Sequence, residues 1–195
     1  MGDQDVDIIE KQLLDSAQVK QKIVECCLEE IQKAAQILSN SIEDNRKVFL
    51  CGNGGSAADS QHLAAELVVK LNLEREAIPA IALTTDSSII TAESNDVGFG
   101  TIFRRQLEAL ANPGDVLIGI STSGNSQNVL NAIEYCNQND VITIGLTGGD
   151  GGTLEDIASH SIVVPSQNVQ RIQEGHITIG HILCDLVEKE IVKNC

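Results

Sequence analysis

Val48-Phe49-Leu50-Cys51-Gly52-Asn53-Gly54-Gly55-Ser56-Ala57 decides the fold. Its first four residues are a short apolar run without polar alternation, the pattern of a strand buried on both faces. Small residues follow immediately, and an apolar helical period begins near Ser56, so the stretch predicts a strand, a tight turn and the start of a helix. In such a turn backbone N–H groups face outward at the positive end of the helix dipole. A bland reading is also open, since Gly-rich strand-to-helix turns are common without a ligand.

The same unit recurs along the chain. AIAL (80–83), VLIGIS (116–121), VITIGLT (141–147) and SIVV (161–164) read as further buried strands. Helix-like segments lie at 56–70, 101–111, 126–138 and 153–159, and a long last helix spans about 169–192. Ahead of the first strand, Ile23, Val24, Cys27, Leu28, Ile31, Ala34, Ala35 and Leu38 recur every three or four residues and predict an amphipathic helix over 19–39. Alternating strands and helices predict an α/β three-layer sandwich with a five-stranded parallel sheet. The expected organisation is one domain over 1–195, with an N-terminal helical segment (1–44), a sheet core (45–168) and a C-terminal helix (169–195).

Composition narrows the function. Aromatic residues are only 2% of a chain that is 42% hydrophobic, so the core is expected to be Ile, Leu, Val and Ala. A formal charge of −15 argues against a nucleic-acid backbone or an anionic membrane as partner, because each phosphate contact calls for Lys or Arg. The six cysteines (Cys26, Cys27, Cys51, Cys136, Cys184, Cys195) have no C-x-x-C spacing and read as buried free thiols of a reducing compartment. The acidic start MGDQDVDIIEK lacks the features of a secretory signal, and the protein is expected to be soluble and cytoplasmic.

A second turn, Ile120-Ser121-Thr122-Ser123-Gly124-Asn125-Ser126, carries four hydroxyls in six residues between a strand and a helix. Hydroxyls beside helix amides suit a phosphate dianion; helix N-capping is the alternative. Neither turn fits the dinucleotide or nucleoside-triphosphate glycine patterns. His62 and Glu66 stand four apart, on one helix face, which suits joint metal ligation, acid/base work or a plain surface contact. On the last helix Gln173 and His181 share a broad face, and spacing leaves open whether His176 or His181 is the functional imidazole.

C-G-N-G-G-S and G-I-S-T-S-G-N-S resemble the two signature turns of the sugar-isomerase (SIS) fold, a flavodoxin- or Rossmann-like architecture. A-A-D-S-Q-H-L-A-A-E and R-I-Q-E-x-H-x-x-x-x-H-I-L resemble the active-site helices of phosphoheptose isomerases. The resemblance implies an aldose-ketose isomerase converting sedoheptulose 7-phosphate to D-glycero-D-manno-heptose 7-phosphate through an enediol(ate), in heptose and lipopolysaccharide biosynthesis. It implies one weakly held zinc per subunit on His62, Glu66, Gln173 and His181, with Glu66 and His181 catalytic. It also implies substrate contacts from Asn53, Gly54, Gly55, Ser56, Glu66, Asn95, Asp96 and Gln173, a phosphate on Ser121, Thr122, Ser123 and Ser126, and a homotetramer with sites between subunits. Val69-Lys70-Leu71 depart from the Gly-Arg-aromatic of many members, which bears on the sugar preferred. The rivals are a non-catalytic phosphosugar sensor, including one resembling the DnaA initiator-associating protein, and an isomerase of a smaller or amino sugar phosphate.

Overall fold

The structure, a computed structural model, describes residues 3–193. Five strands fall on the five apolar runs: β1 (Val48–Gly52), β2 (Ala80–Ala82), β3 (Val116–Ile120), β4 (Ile142–Gly148) and β5 (His160–Val164). All pair in parallel in the order β2-β1-β3-β4-β5. The order reverses direction between β1 and β3, and at such a switch point the loops leaving the two carboxyl ends diverge and open a crevice. The loops that leave these two strands are the glycine turn and the Ser/Thr turn.

Alternate residues of each strand face opposite layers. Val48, Leu50, Val116, Ile118 and Ile120 join one cluster with α1 (Asp3–Cys26), α2 (Leu28–Glu43), α3 (Gly55–Val68) and α8 (Val169–Lys193). Phe49, Cys51 and Leu117 join the other with α5 (Arg104–Leu110), α6 (Gln127–Gln138) and α7 (Gly152–Ile157). The aliphatic core expected from composition is what fills both layers, with Phe49 and Phe103 as the fully buried large rings among the described residues and Tyr135 packed against them at the edge.

Three expectations need correction. The helix expected over 19–39 is two helices that meet at Cys27, where φ is −117° and ψ −1°. Hydrogen bonds of 2.9 Å from Cys27 N–H to Ile23 O and from Ile31 N–H to Cys27 O continue across the kink, so the hydrophobic period carries straight through it. A helix not foreseen, α4 (Ser87–Asp96), follows β2, capped by Asp86, whose side chain accepts from Ile89 N–H at 2.9 Å. None of its residues is fully buried, which is why no apolar stripe announces it. The thiols are not all buried: Cys27, Cys51, Cys136 and Cys184 are, but Cys26 faces solvent from the last turn of α1. Cys195 lies outside the described residues.

His176 is fully buried, and its Nε2 lies 2.9 Å from Thr147 O at the end of β4. Burial pushes this imidazole down to about 4, so it stays neutral at physiological pH. His176 is therefore a core residue.

Candidate active site

α3 starts directly from the glycine turn, and α8 lies against it. Two close approaches set their separation. A Cβ added at Gly55 would collide with the Gln173 carboxamide, and one at Gly180 would meet Leu63 Cδ1 at 2.5 Å. Because neither glycine carries a side chain, the helices approach closely enough for residues of the two to share one site.

Where they meet, His62 Nε2 stands 2.8 Å from His181 Nε2 and 3.4 Å from Glu66 Oε1. The rings are edge-to-face, with centroids 5.0 Å apart. One ligand atom from each of the three residues lies within 4.8 Å of the others, the one such group of three His, Cys, Asp or Glu side chains among the described residues. Two imidazole nitrogens and a carboxylate oxygen are the donor set that borderline cations such as Zn²⁺ accept, so the residues present fit a metal. His181 is thus the imidazole of α8 that the geometry selects.

Asp59 was not foreseen as part of this site. One turn before His62 on α3, it is 8% exposed, and among the described residues its Oδ2 has no hydrogen-bond partner. Burial pushes its carboxyl up, while His62 and His181 pull it partly back. Its position three residues before His62 was the available signal, because such residues are neighbours on a helix face.

The Ser/Thr turn leaves β3 at the neighbouring carboxyl end. Ser121, 3% exposed, donates to Ser126 Oγ at 3.0 Å. Ser126 sits at the N-cap of α6, yet its side chain makes no capping bond, so the capping alternative accounts for none of its chemistry. Gly124 N–H closes the turn on Ser121 O at 3.0 Å, and Leu154 N–H of α7 holds Gly124 O at 2.9 Å. At the start of α6 the Val129 and Leu130 N–H groups both turn to Ser126 O, at 2.9 and 3.0 Å, and the N–H groups ahead of them stand at the positive end of the helix dipole.

The two turns are tied together by a pair of amides that spacing does not reveal. Asn53 Nδ2 donates to Asn128 Oδ1, and Asn128 Nδ2 to Asn53 Oδ1, both at 2.8 Å. Asn128 Oδ1 also accepts from Val129 N–H at 3.0 Å, so each amide keeps one N–H but only Asn53 keeps a lone pair. Asn95 and Asp96 end α4, are exposed, and hydrogen-bond each other at 2.8 Å; they do not belong to the His62 group. Lys70 pairs with Glu74 at the surface.

Residues 13–148 match the SIS domain family model. A phosphoheptose isomerase of Aquifex aeolicus is 52% identical over 183 residues, 94% of this chain and 96% of that protein. One from Geobacter sulfurreducens is 52% identical over 95% of this chain and 98% of its own length. The chain belongs to the phosphoheptose isomerase family of SIS-domain proteins.

Solved structures agree. The phosphoheptose isomerase of Neisseria gonorrhoeae superposes with a TM-score of 0.90 at 39% identity, covering 94% of this chain and 98% of that one. The Francisella tularensis phosphoheptose isomerase gives 0.92 at 38% identity, over 95% and 98%. Gln173 and His181 lie beyond the span of the family model, so the complete cluster is seen only once α8 is packed on α3. As a member of a sugar-phosphate isomerase family, the chain carries a metal-competent cluster on α3 and α8 and a turn rich in hydroxyls after β3.

Proposed function

We propose that this isomerase interconverts sedoheptulose 7-phosphate and D-glycero-D-manno-heptose 7-phosphate through an enediol(ate). The observation that carries the reading is the meeting of His62, Glu66 and His181 between α3 and α8. Moving a proton between adjacent carbons needs a base at carbon and a proton donor and acceptor at oxygen. Glu66 is the base: Oε1 faces His62, leaving Oε2 for the carbon-bound proton. His181 carries the proton between the two oxygens. Ser121, Thr122, Ser123, Ser126 and the α6 amides hold the phosphate, while Asn53, Gly54, Gly55, Ser56 and Gln173 orient the sugar.

His62, Glu66 and His181, with the Gln173 carboxamide, would hold one zinc ion per chain; when bound it supplies Lewis acidity toward the substrate carbonyl. An amide is a weak ligand, which fits a zinc that exchanges readily. Asn95 and Asp96 are exposed in the single chain, and we assign them to the sugar from a neighbouring position in a homotetramer. Val6, Ile9, Leu13 and Leu14 on α1 and Ile182 and Leu186 on α8 are exposed, which supports packing of these helices between chains; a monomer in light scattering would overturn that assembly. The acid/base pair favours the enzyme over a phosphosugar sensor, and a reducing cytoplasm suits the free thiols.

The activity is tested by incubating the zinc-reconstituted protein with sedoheptulose 7-phosphate and following the aldose 7-phosphate by NMR. Conversion of the phosphate ester, with unphosphorylated sedoheptulose left untouched, is the expected result. Binding of the phosphate without turnover would replace the enzyme with a sensor.

A further inference from the structure

At the opposite end of the sheet, where β5 begins, a cavity of about 440 Å³ is lined by Cys26, Cys27, Glu30, Glu155, His160 and Ser161 with their neighbours. Adjacent residues on a regular helix point about 100° apart and do not face each other. Here they do: Cys26 Sγ and Cys27 Sγ are 3.6 Å apart. The cause is the kink, because Cys27 departs from helical ψ at the junction of α1 and α2. Its thiol also reaches Val163 O of β5 at 3.4 Å, which holds it in place.

Spacing identifies what the pair suits. Two thiolates that each lie about 2.3 Å from a tetrahedral cation stand about 3.8 Å apart, whereas a disulfide needs about 2.0 Å. At 3.6 Å the sulfurs are set for a shared cation. We propose that Cys26 and Cys27 form a second cation site, taking a soft divalent ion through two sulfurs, with Glu30 and His160 on its rim.

The surroundings fit that chemistry. His160 Nδ1 lies 3.4 Å from Glu30 Oε2, and its Nε2 2.7 Å from Glu30 O, so the carboxylate and imidazole are held to each other on the wall of the cavity that the thiols line. Soft sulfur donors select Zn²⁺ and heavier d¹⁰ ions over hard cations. Cys26 is exposed and gives a path in, while Cys27 is 3% exposed and gives a protected second ligand.

Cadmium ion is the probe, with Cys195 replaced by Ser throughout. Titration of this protein and of its His62→Ala variant is expected to give the same thiolate-to-metal charge-transfer band, saturating at one thiolate-bound ion per chain. Cys26→Ser alters an exposed side chain, so the far-UV circular dichroism is expected to stay and the band to be lost; Cys27→Ser is expected to lose it as well. A band that persists in Cys26→Ser, that disappears in His62→Ala, or that never forms overturns the proposal. Oxidation of both thiols by a small disulfide in a protein that takes up no cadmium would point to redox chemistry instead.

Discussion

Glu66→Gln lowers turnover by about 10²- to 10⁴-fold, the range that removal of a positioned general base costs, and leaves the fold intact. The substitution keeps the shape of a side chain already among the less exposed of the cluster, at 19% against 47% for His62, but an amide cannot accept the carbon-bound proton. A loss in kcat with little change in KM is the signature, because an interaction used in the transition state is removed. Metal content measured on the same samples separates the two duties given to Glu66. A variant that keeps its zinc and loses turnover supports the base assignment; wild-type turnover would remove it.

Glu188→Ala destabilises the chain by about 3–5 kcal/mol, the cost of stranding a buried charge. Glu188 is 1% exposed on α8 and accepts N–H bonds from Leu71, Asn72 and Leu73 at 3.0, 2.7 and 2.9 Å. Arg75 Nε stands 3.2 Å away as an ion pair, and Arg75 Nη2 donates to Glu66 O at 2.9 Å. This clasp fixes the segment after α3 and, through Glu66 O, the backbone of the proposed base. Burial pushes the Glu188 carboxyl up, but the three N–H bonds and Arg75 outweigh it and hold it below the usual range. A carboxylate with a depressed folded-state value contributes stability above its unfolded value, about 4.3, and loses that contribution as pH falls through the folded one. Denaturant unfolding at neutral pH measures the effect, and a change below about 1 kcal/mol, nearer to that of a surface substitution, would show that the clasp is not needed.

Much of this was legible in the sequence because it depends on local pattern. Unbroken apolar runs marked all five strands, and Gly and Ser marked the turns at the carboxyl ends of β1 and β3. His62 and Glu66 could be placed on one face by their spacing. Spacing could not select His181 over His176; the resemblance did, and the packing of α8 on α3, which depends on the missing side chains of Gly55 and Gly180, brings His181 to His62 and Glu66. Asn128 and Arg75 were invisible because their partners, Asn53 and Glu188, are 75 and 113 positions away in the chain and are brought near only by the sheet and α8. The kink at Cys27 has no Gly or Pro to announce it, and α4 has no buried face. Lys70, noted as a departure from the family, pairs outward with Glu74, and the buried brace in that segment is Arg75.

The most direct measurement is the sedoheptulose 7-phosphate conversion run in D2O, with wild type and Glu66→Gln side by side and product analysed by NMR. A base at carbon and an enediol(ate) predict aldose 7-phosphate carrying deuterium at C2 from the wild type, and product formation slowed at least about 100-fold in the variant. Unchanged ketose with the wild type, or equal rates for the two proteins, would contradict the assignment of this site.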